Sequence, residues 1–230
     1  MRGQRDKVTF SPRGVAASFI IVMAALLFSC GLPTSEYLYP PAFESLGGVI
    51  RLTHKTENID DAASAALFKG YDIYYRIFDS ETEASKSYDE LDSSLTSTTI
   101  ATVAPAKGYY VLVKFGDTNV PLIPVSDNTY NYFYLNLNTN DGWTITTSTG
   151  TTLFHHVLRD KDDSSTADFY LSAQYSSTDQ DYEGDGISSG NSVYIVFFAV
   201  AHGVSSSSIG TDIYSDPKIL EPIAYTPGGS

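Results

Sequence analysis

Hydrophobic and polar residues alternate over much of the chain with a period of two, the spacing of half-buried β-strands. Across residues 70–78, Tyr71, Ile73, Tyr75 and Ile77 share one face, and Asp72 and Arg76 the other. Residues 109–115 repeat the pattern, with Val111 and Val113 opposite Lys114. Residues 130–137 set Phe133, Leu135 and Leu137 on one side and Tyr130, Tyr132 and Tyr134 on the other. Asn140-Asp141-Gly142 then offers the positive-φ residues of a tight hairpin turn. Further strands are predicted over 143–147, 152–158, 169–175 and 193–201. The last is apolar on both faces, as a strand covered from both sides must be.

Two stretches switch to helical spacing. Ser80 followed by Glu83 has the spacing of a capping box, and Ala84, Tyr88, Leu91 and Leu95 fall on one helical stripe behind it. Residues 60–67 predict a second short helix, with Asp60 or Asp61 capping an alanine-rich turn. Stretches rich in Ser, Thr and Asp at 160–166, 176–191 and 205–208 read as surface loops. About eight short strands with one or two helices predict a mainly β protein, a sandwich of two sheets.

Two segments resemble fibronectin type III domains. Gly70-Tyr71-Asp72-Ile73-Tyr74-Tyr75-Arg76 is similar to that family's strand C. Residues 194–201, followed by Ser215-Asp216-Pro217, are similar to its strand F, the following loop and the lead into strand G. More than 100 residues separate the two segments. The resemblance therefore implies an immunoglobulin/fibronectin III-like β-sandwich with a large insertion, serving binding or spacing rather than catalysis.

The N-terminus carries a different signal. Arg2, Arg5, Lys7 and Arg13 precede an apolar run from Val15 to Phe28, which is shorter than the roughly 20 residues that span a bilayer. The run ends in Leu27-Phe28-Ser29-Cys30, which resembles the lipobox of bacterial lipoproteins and of spirochaete lipoproteins in particular. The resemblance implies cleavage before Cys30 and acylation of its thiol and amine. Two or three acyl chains anchor stably where one does not. The expected organisation is a signal peptide at 1–29, a lipidated tether at 30–45, a β-sandwich at 46–225 and a flexible tail at 226–230.

Charge and cysteine content narrow the function. Removing the +3 of the signal segment from −13 leaves −16, a surface that repels phosphate backbones and disfavours nucleic acid. Cys30 is the only cysteine, so the domain has no internal disulfide and no cysteine-based zinc site. Asp179, Asp181, Glu183 and Asp185 alternate like the opening of a calcium loop, with Gly184 at the bend, but Gly190 stands where a bidentate glutamate is needed. A solvated acidic turn is the competing reading. His155 and His156 point to opposite faces of a strand, and His54 and His202 stand alone in the sequence. No nucleophile elbow or phosphate loop is present. No cofactor and no catalytic residue are expected.

Aromatic residues are abundant, and Tyr130, Tyr132 and Tyr134 form the expected ligand-binding face for a protein or glycan. The expected function is thus a lipid-anchored, non-enzymatic binding or adhesion protein of the cell envelope, periplasmic or surface-exposed. A structural assembly role is the alternative, and an envelope hydrolase trails it.

Overall fold

The computed structural model describes residues 36–114, 121–127, 129–137, 142–162, 165–188 and 190–228. The signal segment, Cys30, Asn140 and Asp141 lie outside the described residues. The chain is mainly β, built as two sheets packed face to face, with two of its helices closing the outer side of one sheet.

Among the described residues, the first sheet has seven strands. Its path is β1 (Ala42–Ser45), β2 (Val49–Thr53), β7 (Tyr132–Asn136), β8 (Trp143–Thr147), β9 (Thr152–Asp162) and β10 (Ser165–Asp168), with β5 (Val113–Lys114) also paired to β9. The second has eight strands around the antiparallel pair β3 (Phe68–Phe78) and β12 (Val193–Val204). β4 (Tyr110–Val111), β6 (Ile123–Pro124) and β11 (Tyr182–Glu183) add to β3. β13 (Asp212–Tyr214), β14 (Lys218–Ile219) and β15 (Ile223–Tyr225) add to β12. The two segments that carry the fibronectin resemblance are therefore hydrogen-bonded neighbours, with Phe197 opposite Tyr75.

Alternation explains the packing. Ile73, Tyr75 and Ile77 of β3 join Ile195, Phe197 and Ala199 of β12 on the inner face. They meet Ile50, Leu52, Phe133, Leu135, Trp143 and Ile145 from the other sheet. The opposite faces of β3 and β12 offer Tyr74, Phe78, Val196, Phe198 and Val200 to a second cluster. That cluster is closed by helix α3 (Glu81–Ser94) through Ala84 and Leu91, and by α4 (Ile100–Ala106) through Ile100 and Ala104. β12 is thus buried on both faces, as its sequence predicts. Burying a side chain such as Phe198 contributes about 1.5–3 kcal/mol.

The helix signals hold at their start points. The Ser80 side chain accepts the Glu83 N–H, and Asp61 accepts the Ser64 N–H to cap α2 (Ala62–Leu67). A further turn, α1 (Glu57–Asp60), precedes it. α4 has no sequence signal: Thr99 makes no side-chain cap bond and Pro105 lies inside the helix.

Four expectations are corrected. Of the strand expected over 109–115, residues 110–114 are divided between two sheets, because the chain leaves one and joins the other at the buried Leu112. Residues 169–175 do not form a strand; Ser172–Gln174 is a 3-10 turn, and Leu171 bridges Gly228. The expected tether is folded from Glu36 onward. Leu38 is buried, Tyr39 exchanges two hydrogen bonds with the Asn58 amide, and β1 pairs with β2. The expected tail is held as far as Gly228, and Thr226 Oγ1 lies 2.8 Å from Ser192 Oγ.

Candidate functional site

The face expected to bind a ligand is the outer face of the seven-stranded sheet. Phe133 and Leu135 point inward, so Tyr132 and Tyr134 point outward and are half-buried. Their rings meet edge to face at 5.2 Å, and the Arg51 guanidinium sits 5.8 Å over Tyr132. Arg51 in turn pairs with Glu44 across the strands. The Asn136 amide donates to the Thr144 and Thr146 hydroxyls at 3.2 Å, extending this polar surface toward β8. Tyr130 does not belong to the face. It precedes β7, packs against the core and meets the inward ring of Phe133 at 6.2 Å.

The acidic segment folds inward instead of forming an open loop. Asp181 is fully buried and binds Arg159 through both oxygens, from Nε at 2.9 Å and Nη2 at 2.7 Å. Asp179 accepts from the same Nη2 at 3.0 Å and also pairs with Lys161. The Tyr75 hydroxyl donates to Asp181 at 2.6 Å and accepts the Asp160 N–H. The remaining Arg159 nitrogen donates to the Gln174 carbonyl, and the guanidinium stacks 4.3 Å from the Tyr175 ring. Burial opposes the charge on Arg159, but the bonds and charge of Asp181 outweigh it and hold the pKa above its ordinary value. Burial pushes the Tyr75 hydroxyl well up, so it stays a protonated donor. Glu183 binds Arg76 at 2.6 Å, and the Asp185 N–H donates to Asp79. The proposed calcium ligands Asp179 and Asp181 are therefore already engaged by cationic side chains. Among the described residues, no three His, Asp or Glu side chains converge as metal ligands.

The histidines are differently placed. His202 is bracketed by carboxylates, with Nδ1 at 2.7 Å from Asp72 and Nε2 at 3.2 Å from Asp212. Burial alone would lower its pKa, yet Asp72 and Asp212 together raise it. Tyr214 stacks on the imidazole at 5.0 Å. His54 Nδ1 lies 2.7 Å from the Tyr71 hydroxyl, and burial lowers its pKa. His156 is exposed on β9, and the side chain of His155 lies outside the described residues.

His156 borders a cleft of about 340 Å³ on the outer face of β9 and β10. Leu158, Thr166, Ala167, Asp168 and Gln174 complete its lining. Asp168 Oδ1 and Gln174 Oε1 are both shielded from solvent and accept no hydrogen bond. Among the described residues, Asp168 forms no ion pair. Neither Arg159 nor this cleft is evident from sequence spacing. The one available signal is that Arg159 shares its strand face with Val157, so an inward β9 carries a charge inward. No protein family matches the chain, and no curated protein or solved structure is significantly similar to it.

Proposed function

We propose that the protein is a lipid-anchored, non-catalytic binding module of the bacterial cell envelope. The observation that carries the binding role is the asymmetry of the two sheets. Helices α3 and α4 close the outer face of the eight-stranded sheet. No described helix packs on the other outer face, where Tyr132, Tyr134, Arg51 and Asn136 are half-exposed. Their mutual contacts hold these side chains in place before any partner arrives, which reduces the ordering cost of binding. The net charge of −16 past the signal favours neutral or cationic ligands, among them proteins and glycans. The anchor rests on Leu27-Phe28-Ser29-Cys30 behind a basic, apolar leader.

A single set of variants tests both halves. The full chain, Cys30→Ala and Tyr132→Ala/Tyr134→Ala would be produced in a lipoprotein-processing bacterium fed an alkyne-tagged fatty acid. Cys30→Ala is expected to lose both the acyl tag and detergent partitioning. The tyrosine variant should keep both, keep its thermal midpoint, and lose retention on an array of defined glycans and peptides. Unchanged partitioning of Cys30→Ala overturns the anchor, and equal retention of the tyrosine variant overturns the face.

A further inference from the structure

The cleft beside β10 is lined by both polar and apolar side chains. Its two inner acceptors, Asp168 Oδ1 and Gln174 Oε1, are shielded and unpartnered. A buried acceptor left unpaired costs about 1–3 kcal/mol. Folding does not supply the missing donors. Arg159 directs its guanidinium to Asp181, Asp179 and the Gln174 carbonyl, and Lys161 is spent on Asp179. Gly142 borders the same place: a Cβ at that position would stand 3.4 Å from both Asp168 Oδ1 and His156 Nδ1, in ordinary contact with each. Leu158 and Ala167 supply an apolar lining for a carbon chain.

We infer that this cleft receives a basic side chain, lysine or arginine, of a protein partner. This rests on the binding-module reading and names its ligand class. Three observations converge on a cation. The orphaned groups are both acceptors, so the ligand must bring donors. Asp168 carries a charge with no described counter-ion. The whole body past the signal is strongly acidic, so a basic partner is drawn toward it before contact. The volume of about 340 Å³ sits at the small end of ligand sites and suits one side chain. Position supports the same partner. Asp168 is opposite Leu158 on β9, and Trp143 of β8 is opposite Val157. The cleft therefore opens on the sheet face that carries Tyr134, three strands away across the sheet.

The test uses the full chain carrying Cys30→Ala, labelled with 15N, and a lysine mimic, Nα-acetyl-lysine amide. Saturable shifts are expected at the amides of Ala167, Asp168 and Gln174. The neutral Nε-acetylated mimic should leave them unmoved. Asp168→Asn should weaken the lysine mimic at least tenfold, and Thr166→Leu, at an exposed lining position on the face of Asp168, should do the same. Thermal midpoints confirm that each variant is folded. Equal shifts from the neutral mimic, an unaltered Asp168→Asn titration, or cleft occupancy only by N-acetylglucosamine would each overturn the inference. Tyr132→Ala/Tyr134→Ala should leave mimic binding intact. An empty cleft with tyrosine-dependent retention on the array would sink this inference and leave the binding-module reading standing.

Discussion

The ladder between β9 and β10 carries two carboxylate environments on its opposite faces. Inward, Arg159 stands opposite Ala167 and binds Asp181 and Asp179. Outward, one rung away, Leu158 stands opposite Asp168, whose inner oxygen has no donor. The same residue type is fully neutralised on one face and left short on the other. The inner cluster closes the fold, since it ties the segment after residue 175 to β3 through Tyr75 and to β9 through Arg159. The outer one serves no such closure. A charge with every bond made belongs to stability, and a charge with bonds missing is available to a ligand.

The largest loss is expected at Asp181. Asp181→Ala strands a guanidinium with no exposed surface, and removing one partner of a buried pair costs about 3–5 kcal/mol. Denaturant unfolding should register that loss in the midpoint without a matching change in slope. Arg159→Met/Asp181→Leu removes both charges and should recover most of it. A double variant as unstable as the single one would mean that the cluster's geometry, not its unpaired charge, sets the cost.

His202 lies between these extremes, half-buried and bracketed. Its pKa is raised above the ordinary value, despite burial, by Asp72 and Asp212. The sign follows: its stabilisation is complete below the unfolded pKa of about 6.5 and is lost as pH rises through the higher folded value. His202→Gln should therefore cost about 1–3 kcal/mol in mildly acidic buffer, the order lost when the buried Asp72 carboxylate is left short of its partner. The gap from the native protein should narrow as pH rises. His54 works in the opposite sense, because burial lowers its pKa and acidification charges it against the core. Measuring the His202→Gln difference, not the raw curve, removes that contribution. A gap that does not change with pH would show that the imidazole acts only through its stack on Tyr214.

Much of the frame was legible along the chain. The alternation of Tyr71 to Ile77, the double-sided apolarity of 193–201 and the Ser80 cap each describe local geometry, and each stands where expected. The failures have a common cause, which is that pairing partners are remote in sequence. Residues 109–115 alternate as one strand, but 110–114 divide between two sheets at Leu112. Residues 36–45 lack periodicity because Asn58 and Ser64 hold part of them through side-chain bonds. The acidic run from Asp179 resembles a ligand loop by composition alone; nothing local reveals an arginine some 20 residues earlier on an inner strand face. Of the candidate face, Tyr132 and Tyr134 were readable from alternation, whereas Tyr130 was lost because β7 begins after it. The Asp168 cleft needed three separate segments to meet, so no spacing could announce it.

The smallest expected effect is the most discriminating. Asp168→Asn keeps the side-chain shape, removes a charge that has no described ion-pair partner, and leaves β10 unaltered. The carboxylate is half-buried and its inner oxygen is unpaired, so neutralising it lowers the cost of holding a charge away from water. Stability should stay level or rise by up to about 1 kcal/mol, in contrast to the loss at Asp181. Urea midpoints at low and high salt are the measurement, because salt screens any long-range share of the acidic body. A loss above about 2 kcal/mol at both salts would place Asp168 among the structural charges. The two faces of the ladder would then differ only in burial, and the missing donors would no longer point to a ligand.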